Sequence, residues 1–156
     1  MSQGSPQKRQ ILTQSTKREI GNIHAKQRTL FRLGMNEERL ADFIEYASNR
    51  LTGYEKGEAQ LFLDHLFVAF GHKGVVEAQA KLECQLTIDD RTKYADLLWP
   101  KRVLIEMKGR GEKLEKHFSQ AKRYWDEAYG ERTQYVILCN FDEFWIYDWN
   151  KQRPTR

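Results

Sequence analysis

The sequence predicts an α/β domain with a mixed central sheet flanked by helices, and three observations predict it. Apolar residues recur at helical spacing up to Gly71, switch beyond Gly74 to the pattern of strands, and return to helical spacing after Gly111. Two further apolar runs then close the chain, so the order is helix, helix, three strands, helix, two strands. At 156 residues there is room for one compact domain, which at this size buries roughly two-thirds of its unfolded surface without disulfide support.

Residues 1–34 are rich in Gln, Ser, Thr, Lys and Arg and read as a disordered or weakly helical extension; residues 35–154 form the domain. Asn36 can cap a first helix whose Leu40, Phe43, Ile44, Ala47 and Leu51 follow the 3.6-residue period, and Met35 can be a natural start. After Thr52-Gly53 a second helix runs from Glu55 to Phe70, with Gly71 placed for a left-handed cap. Strands are expected at Val75 to Ile88, Lys93 to Trp99 and Val103 to Lys108, turning at Asp89-Asp90 and Pro100-Lys101 as an antiparallel meander. Leu114, Phe118, Ala121, Trp125 and Ala128 define an amphipathic helix from Glu112 to Tyr129 that lies against the sheet. The final strands are Gln134 to Cys139 and Glu143 to Asp148.

Composition narrows the class. Cys84 and Cys139 stand far apart without a CxxC or His/Cys cluster, which points away from a disulfide framework or zinc site and toward a reducing, cytoplasmic compartment. The longest apolar runs are too short for a bilayer, and the N-terminus has no signal-peptide core. Charge is uneven: residues 1–34 hold seven Lys/Arg against one Glu, and residues 101–123 hold eight against three. The second patch is local, and permits a phosphate-rich partner without requiring one.

Side chains two apart on a strand share a face, so Glu106 and Lys108 project together while Ile105 and Met107 enter the core. Asp96 and Glu106 are equidistant from Lys101, so a hairpin centred there sets them opposite each other. A one-residue slip would send Asp96 to the other face. Paired carboxylates repel unless a cation lies between them. Mg²⁺ suits Asp96, Glu106 and a backbone carbonyl, that of Met107, with the remaining positions left to water and a phosphate oxygen. Lys108 would orient or help deprotonate the metal-bound water. Gln120 and Tyr124, four apart on the third helix, can reach the strand ends. Charged residues on an exposed strand face are ordinary, so the spacing alone does not decide.

These residues carry a resemblance. Asp96, Glu106-Met107-Lys108 and Gln120-x-x-x-Tyr124 resemble the PD-(D/E)XK nuclease superfamily. The runs Gly57-Glu58-Ala59-Gln60, Tyr94-Ala95-Asp96-Leu97-Leu98-Trp99, Leu104-Ile105-Glu106-Met107-Lys108 and Asn140-Phe141-Asp142-Glu143-Phe144-Trp145 are similar to the N-terminal segment of MmeI-like type IIL/IIG restriction-modification enzymes, from about Met35 to Pro154. The resemblance implies a restriction-endonuclease-like fold and a Mg²⁺-dependent endonuclease acting on double-stranded DNA. In the family this module is fused to an S-adenosylmethionine-dependent adenine methyltransferase and a target-recognition domain. No methyltransferase motif stands in this sequence, so S-adenosylmethionine would enter only through such a module. The resemblance also puts Glu58 where related nucleases carry an extra acid facing the metal. Two competing readings are a nuclease-like domain that only binds DNA or a partner, and a fragment whose activity needs the larger enzyme.

Lys113, Lys116, Lys122 and Arg123 are the candidates for phosphate contact, each adding affinity that weakens with salt. His117 lies beside the expected cleft and can contact phosphate, although a partly exposed helix histidine needs no function. Trp99, Trp125, Trp145 and Trp149 can stack on bases, but core or edge packing explains at least three.

Overall fold

The computed structural model describes residues 37–128 and 132–148; the basic extension, the Asn36 cap, Tyr129 and Trp149 lie outside them. Helix α1 spans Glu37–Arg50 and buries Phe43 and Ala47, while Ile44 stays exposed. Helix α2, Glu55–Ala69, buries Ala59, Phe62, Leu63, Leu66, Phe67 and Ala69. It ends as expected at Gly71. With φ at +87° there, Gly71 N–H donates to Val68 O and His72 N–H to Phe67 O, satisfying two carbonyls the helix leaves open.

The strands are β1 (Lys81–Ile88), β2 (Arg91–Trp99), β3 (Val103–Met107), β4 (Tyr135–Cys139) and β5 (Phe144–Tyr147). They form one sheet in chain order, antiparallel except for the parallel pair β3/β4. A parallel pair needs a crossover, and helix α3 (Phe118–Glu127) provides it. Asp89 and Asp90 both take positive φ, as a two-residue hairpin turn demands.

The sheet separates two apolar cores. On one face Phe43, Phe62, Leu63 and Phe67 pack against Leu97, Ile105, Met107 and Cys139. On the other, Leu114, Ala121, Tyr124 and Trp125 pack against Leu98, Leu104, Val136 and Leu138. Burying a side chain such as Phe62 or Leu104 contributes about 1.5–3 kcal/mol each. β3 is therefore covered on both sides. The three described tryptophans serve packing: Trp125 is buried and donates its Nε1–H to Thr133 O, Trp99 lies against Phe67, and Trp145 packs on the second core.

Two expected elements are shorter than the periodicity implies. Residues 75–80 turn instead of extending, because Asp64 Oδ1 accepts from Val75 N–H while Ala78 and Ala80 N–H groups bond back to Gly74 O and Val75 O. Val75 is still fully buried, which is why its sequence reads as strand. The third helix begins late. Lys113 is extended, Glu112 gives its carbonyl to Asn140 Nδ2, and only a 3-10 turn, Leu114–His117, precedes α3. Among the described residues, no helix is long and apolar enough to cross a membrane.

Candidate active site

Glu106 lies in the inner strand β3 and Lys108 directly follows its end, and both are buried, at 3% and 6% exposure. That removes the solvated-face reading. Two ionisable groups in such a place must be paired or assigned a task. Lys108 Nζ donates to Glu106 Oε1 at 2.9 Å, and Gln120 Nε2 donates to the same oxygen at 2.8 Å. Gln120 Nε2 also reaches Tyr124 Oη at 3.0 Å, so the two α3 residues act together over the strand end. Among the described residues, buried Glu106 Oε2 has no hydrogen-bond partner.

The β2/β3 register is the one centred on Lys101: Trp99 pairs with Val103, Leu98 with Leu104 and Leu97 with Ile105. Asp96 occupies the next step. Its surroundings, however, are not those of a regular strand. Ala95 belongs to the core under α3 while Leu97 belongs to the opposite one, and on β1 Cys84 and Leu82 divide the same way. Residues two apart should share a face, so both strands turn over between these positions. The pivots are Glu83, at φ +46°, and Asp96, and the β1/β2 pairing passes over both. Released from that pairing, Asp96 accepts the Met107 N–H on Oδ2 at 2.7 Å. It lines a hollow of about 300 Å³ with Glu55, Lys56, Gln60 and Glu83. The shared face expected from alternation thus holds for Glu106 and Lys108, whereas Asp96 approaches from the turnover.

Electrostatics follow from burial. Desolvation lifts the Glu106 carboxyl to about 7; the Lys108 ammonium opposes this, and Asp96 and Glu55 reinforce it. Asp96 is also raised, by burial first, against the Met107 N–H and Lys108, with Glu55 and Glu83 pushing the same way as burial. Burial works against the Lys108 charge, but Glu106, Glu55 and Asp96 outweigh it and hold the ammonium above its usual value. Lys108 is therefore a cation at neutral pH. Burial raises Tyr124 too, so its hydroxyl stays neutral.

Glu55 is the acid that sequence reasoning missed. Its Oε1 lies 3.8 Å from Lys108 Nζ. A signal was available, since Glu55 stands four residues before Ala59 and eight before Leu63, which line the same hollow. Glu58, one turn on, is engaged elsewhere. Its carboxylate accepts from the N–H groups of Thr52, Gly53 and Tyr54 at 3.1, 2.7 and 3.0 Å, replacing the side-chain cap that Tyr54 does not provide. Those bonds, the one from Thr52 foremost, hold it below its ordinary range despite some desolvation.

The basic candidates are dispersed. Lys113 and Lys116 are exposed around the 3-10 turn. Lys122 binds Asp126 at 2.6 Å and lies over Trp125, and Arg123 pairs with Asp89. His117 Nε2 meets Glu112 at 2.9 Å.

Arg110 fastens the surroundings. Its guanidinium donates to Leu51 O, Ala47 O and Asp142, joining the end of α1 to the β4–β5 turn, and its N–H donates to Gly53 O. Gly53, at φ +88°, cannot carry a side chain, because a Cβ would stand 2.2 Å from Arg110 Cβ.

Comparison with known proteins matches residues 35–155 to the family described as MmeI, N-terminal domain. No curated protein and no solved structure matches the chain.

Proposed function

The chain belongs to the MmeI N-terminal domain family, a module related to restriction-modification enzymes, and on that premise we propose that it is the metal-dependent DNA endonuclease module of such a system. The observation that carries this reading is the buried Glu106–Lys108 pair beside Asp96, with Glu106 Oε2 left without a partner. A buried carboxylate oxygen without a donor is costly, and a divalent cation is the partner its charge calls for.

The residues fit such an ion. Among the described residues no three His, Cys, Asp or Glu side chains gather as a metal cluster. Mg²⁺ prefers hard oxygens and retains water, so two carboxylates and one carbonyl would suffice, and Asp96, Glu106 and the Met107 carbonyl would hold it, with Glu106 Oε2 free to ligate. When bound it would lower the pKa of water and offset charge on the phosphoryl oxygens. Lys108, held cationic by its acidic neighbours, donates to the attacking water or to a phosphate oxygen and balances charge as the phosphorus–oxygen bond breaks. Gln120 fixes the Glu106 oxygen that also accepts from Lys108, and Tyr124 steadies Gln120. Glu55 adds negative charge behind Lys108. Double-stranded DNA is the substrate in this reading, and methyltransferase and target-recognition modules are its partners in a larger enzyme.

Hydrolysis of supercoiled plasmid with Mg²⁺ tests the reading. Asp96→Ala and Lys108→Ala should each abolish conversion to nicked and linear forms. Activity surviving both changes sinks the assignment. DNA binding without cleavage by the unaltered chain would favour a binding-only module.

A further inference from the structure

A cleft of about 540 Å³ runs from the candidate site to the tip of the β1–β2 hairpin. Its lining includes Gln120, which holds Glu106, and Tyr124, which accepts from Gln120, together with Arg91, Lys93, Ser119 and Arg123. Arg91 and Lys93 project into it for a reason of register. They pair with Ile88 and Leu86, both of which belong to the core under α3, and cross-strand partners share a face. Beyond that core the same face emerges into solvent as two exposed cations.

The charges around the cleft are unequal. Asp89 on the same wall is taken by Arg123, and among the described residues Arg91 and Lys93 have no ion-pair partner. The neighbouring Lys122 is occupied by Asp126. Two unneutralised cations two residues apart on one face of the hairpin, beside Ser119 in the first turn of α3, form a ribbon suited to successive anionic groups on an extended polymer.

We propose that Arg91 and Lys93 bind the phosphates flanking the scissile one, so that the DNA strand leaves the candidate site along this cleft toward the hairpin tip. The proposal rests on the endonuclease reading. It adds the path of the strand and two residues that sequence spacing did not single out. Gln120 and Tyr124 then form the junction between the cutting end and the holding end. The contact is to the backbone and carries no base preference.

The test uses the full chain with a fluorescein-labelled 30-base-pair duplex in EDTA, reading anisotropy from about 50 to 200 mM salt. Each phosphate contact contributes about −0.9 to the slope of log affinity against log salt, so Arg91→Ala/Lys93→Ala should flatten that slope by roughly 2. Arg91→Lys/Lys93→Arg, which keeps both charges, should preserve it, and Arg39→Ala/Lys73→Ala, away from the cleft, should leave it unchanged. Circular dichroism melts of every variant check that folding is intact. An unchanged slope in the cleft double variant, or equal flattening in the Arg39/Lys73 control, overturns the strand path. Either result leaves the nuclease reading standing if plasmid cleavage still depends on Asp96 and Lys108. A double variant that loses slope, and with it plasmid cleavage at the higher salt, supports the path, whereas Asp96-independent cleavage removes the premise and the proposal together.

Discussion

Replacing Glu106 with Gln removes one buried charge while keeping the shape that Lys108 and Gln120 contact. In the metal-free protein the carboxyl is lifted from 4.5 to about 7, chiefly by burial. At about 1.4 kcal/mol per pH unit, the ionised form costs the folded state on the order of 3 kcal/mol. The sign follows from which state releases its proton first. Below the unfolded value the group is protonated in both states and costs nothing. As pH rises toward 7 the unfolded chain ionises first, so stability falls, and above 7 the loss is complete. Urea unfolding in EDTA, followed by tryptophan fluorescence, should therefore show Glu106→Gln gaining roughly 3 kcal/mol relative to the unaltered protein between pH 4 and pH 8.5. Adding Mg²⁺ at the higher pH should narrow the gap by stabilising the unaltered protein alone. A gap that is the same at both pH values would refute the claim that Glu106 is a strained, desolvated acid.

Three further outcomes follow from the same geometry. Gly53→Ala forces a Cβ against Arg110 at a positive φ and should cost about 2–4 kcal/mol, while Arg110→Ala loses the guanidinium bonds to the Ala47 and Leu51 carbonyls and should cost about 2 kcal/mol; melts that do not move would refute the clamp. Glu58→Gln should lower the melting temperature at neutral pH and abolish a contribution that is present above 4.5 and lost as pH falls through the depressed folded value, with hydrolysis per folded molecule unchanged. A large fall in cleavage at normal stability would instead place Glu58 at the metal. Mg²⁺ binding at pH 6 should release about one proton, shown by buffer-dependent heats in titration calorimetry that vanish near pH 8.5, because Glu106 must ionise to bind. Heats independent of buffer at pH 6 would contradict this.

Much of the site was readable because strand geometry is periodic. Two residues of separation put Glu106 beside Lys108, four put Gln120 beside Tyr124, and the turn residues Pro100-Lys101 set the β2/β3 register. Where periodicity fails, so does the reading. Nothing local marks Glu83 as the residue at which β1 turns over, or Asp96 as its counterpart, because the reversal belongs to two strands at once. Choosing between Glu55 and Glu58 likewise needed the packed position of α2, since both acids fall in its first turn. The apolar context of Val75 and Glu112 predicts a strand and a helix, but a tertiary hydrogen bond to Asp64 and another from Asn140 claim those segments for turns.

Side-chain period and turn chemistry act over a few residues, so the sequence by itself determined the order of elements, the meander and the residues that converge at the end of β3. Burial, charge coupling and backbone reversals depend on segments far apart in the chain. Only the tertiary structure decided that Glu106 and Lys108 are enclosed, that Arg110 locks Gly53, and that Arg91 and Lys93 face the same cleft as Gln120. Desolvation is a property of what surrounds a group in space, and no spacing rule encodes it.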